Sequence, residues 1–415
     1  MNRSIAPDIK PILSIDTRFP DSTNNLFRIN SEEGVSKLEI VFPSAGQAGI
    51  SNKFALGMAV NLLLSGNANK SAADIANEID ALGGYVFKSA DYYSSGITIY
   101  GLNENISKIL EIVKNAFDTV DYSENEIEIY KRNRLSELNI NLQKTSFLAG
   151  RGINQMLCGV EHSISFKLTE EIINSTSRED LLTAKNTLFQ SPYFIFTGSA
   201  SAPVQEMLES NGFTIGEFNE TLHKDEVPIS ENVKEQMILK EGSTQNSLRM
   251  GCVFPERSHP DYFKLSLLNL VLGGYFGSRL MKNIREDKGL TYGIQSSITP
   301  YNNFSLFKIS CEYNAQFNDE LRTEIGNEIA RLKNELIGDE ELTVAKNYFL
   351  GVLLRSFDGA FQISEKFKGA MDSNIDKSYY NSYFKAINTI SADDLLKTAN
   401  NYFKENTLSY CLAGV

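Results

Sequence analysis

Histidine, the side chain that most often binds zinc or transfers protons in enzymes, occurs only three times in this chain, as His162, His223 and His259. None of them has a second histidine within helical reach, and the patterns HExxH, HxxEH and HxH do not occur. The sequence therefore argues against a zinc site built from this chain alone. His162 follows Cys158 closely enough to pair with a nucleophile, but such a residue is more commonly a solvated loop histidine.

Arg285 and Tyr292 are the side chains best suited to stabilise a developing negative charge, and they lie seven residues apart in IREDKGLTYGI. Arginine stays charged and tyrosine stays protonated at neutral pH, so both donate hydrogen bonds to an oxyanion. The spacing suits an arginine at the end of a helix and a tyrosine that begins the next strand after Gly289. By itself it is not specific, and it favours a structural role in which Arg285 pairs with Glu286 and Tyr292 is a core ring.

Three glycines, Gly273, Gly274 and Gly277, precede this pair in the segment LGGYFGS. The segment lacks the Lys-Ser/Thr that completes a phosphate-binding loop. By itself, the pattern favours the end of a helix followed by a tight turn.

The composition is that of a large globular protein. The 415 residues are 42% hydrophobic and 22% charged, which excludes collagen-like, coiled-coil and disordered chains. Forty basic and 52 acidic residues give a net charge of −12, which argues against a nucleic-acid partner. This charge either attracts basic peptides at long range or only keeps the surface soluble.

The sequence also predicts where the protein resides. Its longest apolar runs, such as Leu265–Leu272, are far shorter than the ~20 residues that a membrane helix needs. The N-terminal residues have no apolar secretory signal. We expect a cytoplasmic protein without membrane contact. The cysteines are spaced too widely for a zinc ribbon or a redox pair and are predicted to be reduced core thiols: Cys158, Cys252, Cys311 and Cys411.

The chain contains two copies of one sequence pattern. Residues 176–200 and 390–415 each contain a serine, an acidic first helical turn, a Leu-Leu pair, an aromatic residue and a strand that ends at a glycine. The two serines, Ser177 and Ser391, are 214 residues apart, and the long helices that precede them start at Ser123 and Gly338, 215 residues apart. A constant offset of this kind predicts a duplicated unit of about 200 residues.

Each copy has the pattern of an α+β fold. Strand-like LFRIN and KLEIVFPSA open the first copy, and KEQMILKEG and SLRMGCVFP open the second. Strand segments separated by independent helices predict a mostly antiparallel β-sheet covered by helices in each of two homologous domains. We assign residues 1–222 to the first domain and 223–415 to the second. The polar segment Phe218–Glu231 is the expected link between them.

The chain resembles the pitrilysin/insulinase-like metallopeptidases, especially the two-domain type that includes the mitochondrial processing peptidase. Two segments carry the resemblance, SAADIANEIDALGGYVFKSADYYSSGITI at 71–99 and LGGYFGSRLMKNIREDKGLTYGIQSS at 272–297. The second is the more specific, and the similarity extends over nearly the whole chain. The resemblance implies a duplicated metallopeptidase-like α/β sandwich.

The resemblance also implies that the zinc site is degenerate. Catalytic relatives carry a helical HxxEH in the first domain and a glutamate one helix hairpin later, and these hold zinc and supply the general base. With LLLSGN as the anchor, Gly57, Val60 and Asn61 occupy the His, Glu and His positions, and Glu137 occupies that of the third ligand. We therefore expect no metal in this chain and no peptidase activity from the chain alone.

The same resemblance implies a role beside a catalytic partner. Arg285 and Tyr292 match the family pair that contacts the scissile carbonyl of a substrate held on an edge strand. Gly273, Gly274 and Gly277 match a glycine-rich segment implicated in substrate handling. The leading hypothesis is a non-catalytic subunit that completes the chamber of a heterodimeric peptidase, with an HxxEH-bearing partner that holds the zinc and binds a peptide substrate. The alternative is a structural scaffold or assembly protein with no role in proteolysis.

Overall fold

The computed structural model describes residues 19–20, 22–218, 225–226, 228, 234–376 and 378–415. Within this part of the chain the strands form two five-stranded sheets. The first sheet contains β1 (Leu26–Asn30), β2 (Val35–Phe42), β3 (Tyr85–Ala90), β4 (Ser95–Leu102) and β5 (Tyr193–Gly198). The second contains β6 (Glu235–Leu239), β7 (Asn246–Phe254), β8 (Thr291–Pro300), β9 (Ser305–Tyr313) and β10 (Ser409–Gly414).

Helices cover both sheets. Those of the first half are α1 (Lys53–Asn61), α2 (Ala72–Ala81), α3 (Ile106–Thr119), α4 (Glu124–Leu142), α5 (Thr145–Cys158), α6 (Glu170–Ser175), α7 (Arg178–Leu188) and α8 (Val204–Ser210). Those of the second half are α9 (Tyr262–Asn269), α10 (Asn318–Asn334), α11 (Asp339–Arg355), α12 (Ala360–Asp372), α13 (Tyr379–Thr389) and α14 (Ala392–Tyr402). Two further segments, Leu270–Gly274 and Met281–Asp287, are π-helical.

The two sheets have the same strand order, which confirms the α+β class and the duplication. The orders are β1-β5-β2-β4-β3 and β6-β10-β7-β9-β8. In each sheet the first strand is parallel to its neighbour and every other pairing is antiparallel. The repeated serines, Ser177 and Ser391, begin α7 and α14 with matching capping boxes to Asp180 and Asp394. The sequence pattern therefore predicted equivalent structural positions.

Each half covers one face of the other half's sheet, an arrangement that the sequence did not predict. On the first sheet, Phe27 and Ile195 pack in one buried cluster with Phe367 of α12 and Phe384 of α13. On the second sheet, α5 contributes buried side chains to a cluster with Leu306. Exchange of helices in this way buries both faces of the central strands and interlocks the two halves.

The predicted boundary between residues 222 and 223, with His223, lies outside the described residues and stays a prediction. Strands of the first sheet end at Gly198, and those of the second begin at Glu235. Within the expected link, Asp225 is buried and accepts hydrogen bonds from the Tyr93 hydroxyl and, at 2.9 Å, from the backbone N–H of Asn302. This carboxylate therefore joins residues of both halves.

Candidate functional site

The four positions that match the zinc site lie on α1 and α4. Gly57, Asn61 and Glu137 line one cavity of about 580 Å³. Val60 is fully buried in the hydrophobic core of the first half. The structure thus brings three of the four positions together, as the resemblance implied, and turns the fourth into a packing residue.

Positions 57 and 61 of α1 carry no imidazole, the side chain that binds zinc in catalytic relatives. Gly57 has no side chain, and a Cβ built there would meet no atom within 4 Å. The Asn61 amide donates to the Gly57 carbonyl at 2.7 Å and to the Tyr130 hydroxyl at 3.3 Å. A glycine and an engaged amide replace the two imidazoles that would hold zinc.

Glu137 is paired within its own helix. Its carboxylate accepts a hydrogen bond from Arg134 at 2.6 Å, and both side chains are about half exposed. Among the described residues, no group of three His, Cys, Asp or Glu side chains is arranged to hold a metal ion. The residues at these positions do not fit a catalytic zinc, which requires three protein ligands.

The edge strand β3 runs beside this cavity. In the described part of the sheet β3 pairs only with β4, and its last residue, Ala90, lines the cavity. The Lys88 ammonium donates to the Asn61 carbonyl at 2.7 Å and so ties the strand to α1. The side chains of Tyr85 and Phe87 on the same strand are exposed to solvent. A free edge with exposed aromatic rings can add an extended peptide as a further strand.

Tyr292 lies at a β-bulge in β8, the edge strand of the second sheet. Tyr292 and Gly293 together face the single residue Glu312, so the ladder shifts register there. The Thr291 hydroxyl fixes the bulge, because it donates to the Glu312 carbonyl at 2.6 Å and accepts from the Gly293 N–H at 3.1 Å. The Tyr292 side chain is 91% exposed, so the alternative of a core ring is wrong. Bulges commonly redirect a side chain in this manner.

Arg285 lies in the π-helical turn before β8, and its guanidinium stacks on an aromatic ring. Its central carbon lies 4.7 Å from the centroid of Phe276, which is itself exposed. None of the described carboxylates, that of Glu286 included, lies within ion-pairing distance of Arg285. Arg279 is different, because it is 7% exposed and donates two hydrogen bonds to Glu341 at 2.8 and 2.9 Å. Arg279 therefore has a structural role, whereas no described carboxylate engages the guanidinium donors of Arg285.

In the glycine segment, packing against β8 explains why position 273 is a glycine. Gly273 and Gly274 end the π-helical turn and line a second cavity of about 480 Å³, together with Phe276 and Gly293. A Cβ at Gly273 would lie 2.7 Å from the backbone nitrogen of Ser296 in β8, which is too close for any side chain. The prediction of a helix end is confirmed, and a role in substrate handling stays a prediction.

His162 is not the solvated loop residue that the sequence favoured, because it is only 7% exposed. One ring nitrogen lies 3.1 Å from the Glu226 carbonyl, and the other accepts from the Ile164 N–H at 3.2 Å. These contacts give it a structural role at the junction between α5 and the link. The four cysteines are free and buried, as predicted. None of the helices in the described residues is long and apolar enough to cross a bilayer.

Comparison with known proteins gives matches over most of the chain. The family described as peptidase M16 inactive domain matches residues 175–349. An uncharacterized zinc protease of Bacillus subtilis (strain 168), YmxG, is 24% identical over 302 residues, which are 72% of this chain and 73% of that protein. The solved peptidase M16 inactive domain from Pseudomonas fluorescens has a TM-score of 0.81 at 20% identity, covering 94% of this chain and 95% of that one. A protease from Helicobacter pylori has a TM-score of 0.79 at 16% identity, covering 94% and 96% of the two chains.

Proposed function

Because the chain belongs to the pitrilysin/insulinase-like (M16) peptidase family, we propose that it is the non-catalytic subunit of a heterodimeric zinc peptidase. The observation that carries this proposal is the state of the zinc-site positions: a glycine, a core valine, an engaged asparagine and a glutamate paired with arginine. The partner subunit carries the HxxEH motif and the zinc, and this chain completes the chamber around a peptide substrate.

Arg285 and Tyr292 are this chain's contribution to the reaction. Arg285 lies in the π-helical turn and Tyr292 at the bulge of β8, and the described carboxylates do not use their donors. Donors that are already oriented stabilise the negative oxygen of a tetrahedral intermediate without having to reorganise as it forms. In our proposal they donate to the scissile carbonyl oxygen of a peptide that is bound to the partner.

The surroundings of the pair suit an extended peptide. The second cavity, of about 480 Å³, is lined by Gly273, Gly274, Phe276 and Gly293 and so lies beside the residues that flank the pair, where it can accept an extended backbone. The buried, unpaired thiols favour a reducing compartment, which we take to be the cytoplasm.

Reconstitution tests the proposal directly. An HxxEH-bearing M16 subunit from the same genome is assayed for peptide hydrolysis alone and after addition of this chain, and the mixture is sized by chromatography with light scattering. We expect a stable complex, with an interface above about 2,000 Å² as is common for obligate partners, and a large gain in turnover. A partner that is fully active alone and forms no complex would contradict the proposal. A complex without any gain in turnover would support the scaffold alternative.

A further inference from the structure

The cavity at the degenerate zinc site is positively charged, although the whole chain carries a net charge of −12. Four charged side chains line it: Lys53, Arg134, Arg151 and Glu137. Three cations and one carboxylate leave a net positive lining. A cavity of this charge repels a metal cation and attracts an anion.

Lys53 is a cation buried without a carboxylate partner in the described residues. It is 9% exposed, and its ammonium donates to the carbonyls of Gln47 at 2.6 Å and Ile50 at 3.2 Å. Burial lowers its pKa, because water is removed from the charge and no anion compensates. The neutral carbonyls hold the ammonium in place but leave its charge uncancelled.

The two arginines also keep donors that no described carboxylate uses. Arg151 stacks on Phe147, with 5.4 Å between the guanidinium carbon and the ring centroid, and burial lowers its pKa. No described carboxylate lies within ion-pairing distance of it. Arg134 gives one nitrogen to Glu137, while its Nε is buried and has no acceptor. Guanidinium donors that no carboxylate of the described chain uses remain available to an anionic acceptor that enters the cavity.

A peptide has a direct path to this cavity. Strand β3 presents a free edge, and Ala90 at its end lines the cavity. A peptide that adds to β3 as an extended strand therefore passes the cavity. Alternate side chains of such a strand, or the end of the peptide, point towards α1 and α4.

We propose that this cavity binds a carboxylate of the peptide, carried by an acidic side chain or by the C-terminus. Guanidinium groups bind carboxylates by charge-assisted hydrogen bonds, which are stronger than bonds between neutral groups. The inference deepens the proposed function, on which the choice of a peptide rests. The carboxylate site itself requires only this chain and can be measured without the partner.

Three labelled peptides test the inference on the purified full-length chain by fluorescence anisotropy. The first is a short β-forming peptide with one central glutamate and an amidated C-terminus. The second has glutamine in place of glutamate, and the third is the glutamine peptide with a free C-terminal carboxylate. We expect the first or the third to bind at least about tenfold more tightly than the second, and the tighter one identifies the source of the carboxylate. Equal affinities for all three would overturn the inference without the need for any variant.

Variants then locate the site. Arg151→Gln and Arg134→Gln should each reduce the preference for the carboxylate peptide by at least about fivefold. The matched control is Arg132→Gln, on the same helix as Arg134 but exposed and outside the cavity, which should leave the preference unchanged. A preference that survives both cavity variants would overturn the assignment. Because the partner is absent from this assay, loss of the preference leaves the reconstitution result intact, and failure of reconstitution leaves the binding result intact.

Discussion

The two halves of the chain share one sheet order but satisfy their charged side chains differently. Each central strand carries a cation at the same place, Lys37 in β2 and Arg249 in β7, five residues before the phenylalanine that ends the strand. Lys37 is fully buried, and its ammonium lies 3.0 Å from Glu39 and 2.7 Å from Glu365 of α12. Burial lowers the pKa of Lys37, but the two carboxylates outweigh this effect and the net pKa is raised.

Arg249 contacts a partner that water still reaches. It donates to Glu312 at 2.6 Å, and the Glu312 side chain is 45% exposed. On the first sheet Lys37 and Glu39 therefore form a desolvated ion pair, to which α12 adds the 60% exposed carboxylate of Glu365, whereas Arg249 on the second sheet forms one partly solvated pair. Side chains at equivalent positions of a duplicated fold can thus contribute different amounts to the free energy of unfolding.

The same contrast holds for the candidate functional residues. In the first half, position 57 has no side chain and Val60 is buried in the core. Asn61 and Glu137 form hydrogen bonds within the chain. In the second half, Tyr292 is 91% exposed and Arg285 has no described anionic partner. Side chains whose hydrogen bonds are satisfied within the chain contribute to folding, whereas Arg285 and Tyr292 remain available for the role in binding that we propose.

The largest effect that we expect on stability comes from Lys37. Lys37→Ala leaves the Glu39 carboxylate buried without its cation and should lower the free energy of unfolding by about 3–5 kcal/mol. Arg249→Ala should cost no more than about 1 kcal/mol, because Glu312 is restored to water. Urea denaturation measures both. Equal losses would mean that the two sheets are stabilised in the same way.

A smaller effect is expected when histidines are restored at positions 57 and 61. A Cβ at position 57 meets no atom within 4 Å, but Gly57→His/Asn61→His should bind zinc weakly, because Glu137 remains paired with Arg134 and the cavity is cationic. Adding Arg134→Gln should strengthen zinc binding about tenfold, or about 1.4 kcal/mol. Competition with a chelating dye measures the affinities. Arg132→Gln in place of Arg134→Gln is the control, and an equal gain from both would show that local charge does not matter.

The smallest effect should be that of Tyr292→Phe on stability. Its hydroxyl belongs to a side chain that is almost wholly in water, so the free energy of unfolding should change by less than about 0.5 kcal/mol. Arg285→Ala should cost about 0.5–1 kcal/mol through loss of the contact with Phe276. Thermal or urea unfolding checks both values. A loss of several kcal/mol would assign the pair to the fold and not to a substrate.

The sequence predicted the elements that depend on local pattern. Apolar periodicity and the serine caps at Ser177 and Ser391 predicted the helices, and the offset between them predicted the duplication. The family resemblance located Gly57, Asn61 and Glu137, which do line one cavity. Helix caps and apolar periodicity depend on neighbours within a few residues, which is why a single sequence was sufficient to predict these helices.

The features that the sequence did not show arise from tertiary packing. The local sequence patterns of α5 and α12 do not predict that each helix packs on the sheet of the other half. The bulge that exposes Tyr292 depends on the Thr291 hydroxyl reaching Glu312 across the ladder. Lys53 and Arg151 are far apart in sequence, and only the fold brings their charges to one cavity.

Turnover of the assembled heterodimer with Arg285→Ala/Tyr292→Phe tests most directly whether this chain contributes donors to its partner's reaction. Loss of an oriented oxyanion donor typically lowers turnover by about 100- to 1,000-fold, and we expect at least this loss with the complex still assembled. Substrate affinity should change less than turnover, and Arg285→Lys should restore activity only in part. The control Arg132→Ala/Tyr348→Phe removes the same groups from exposed positions elsewhere and should retain activity. Wild-type turnover in the Arg285→Ala/Tyr292→Phe complex would contradict the account and leave the chain as a scaffold.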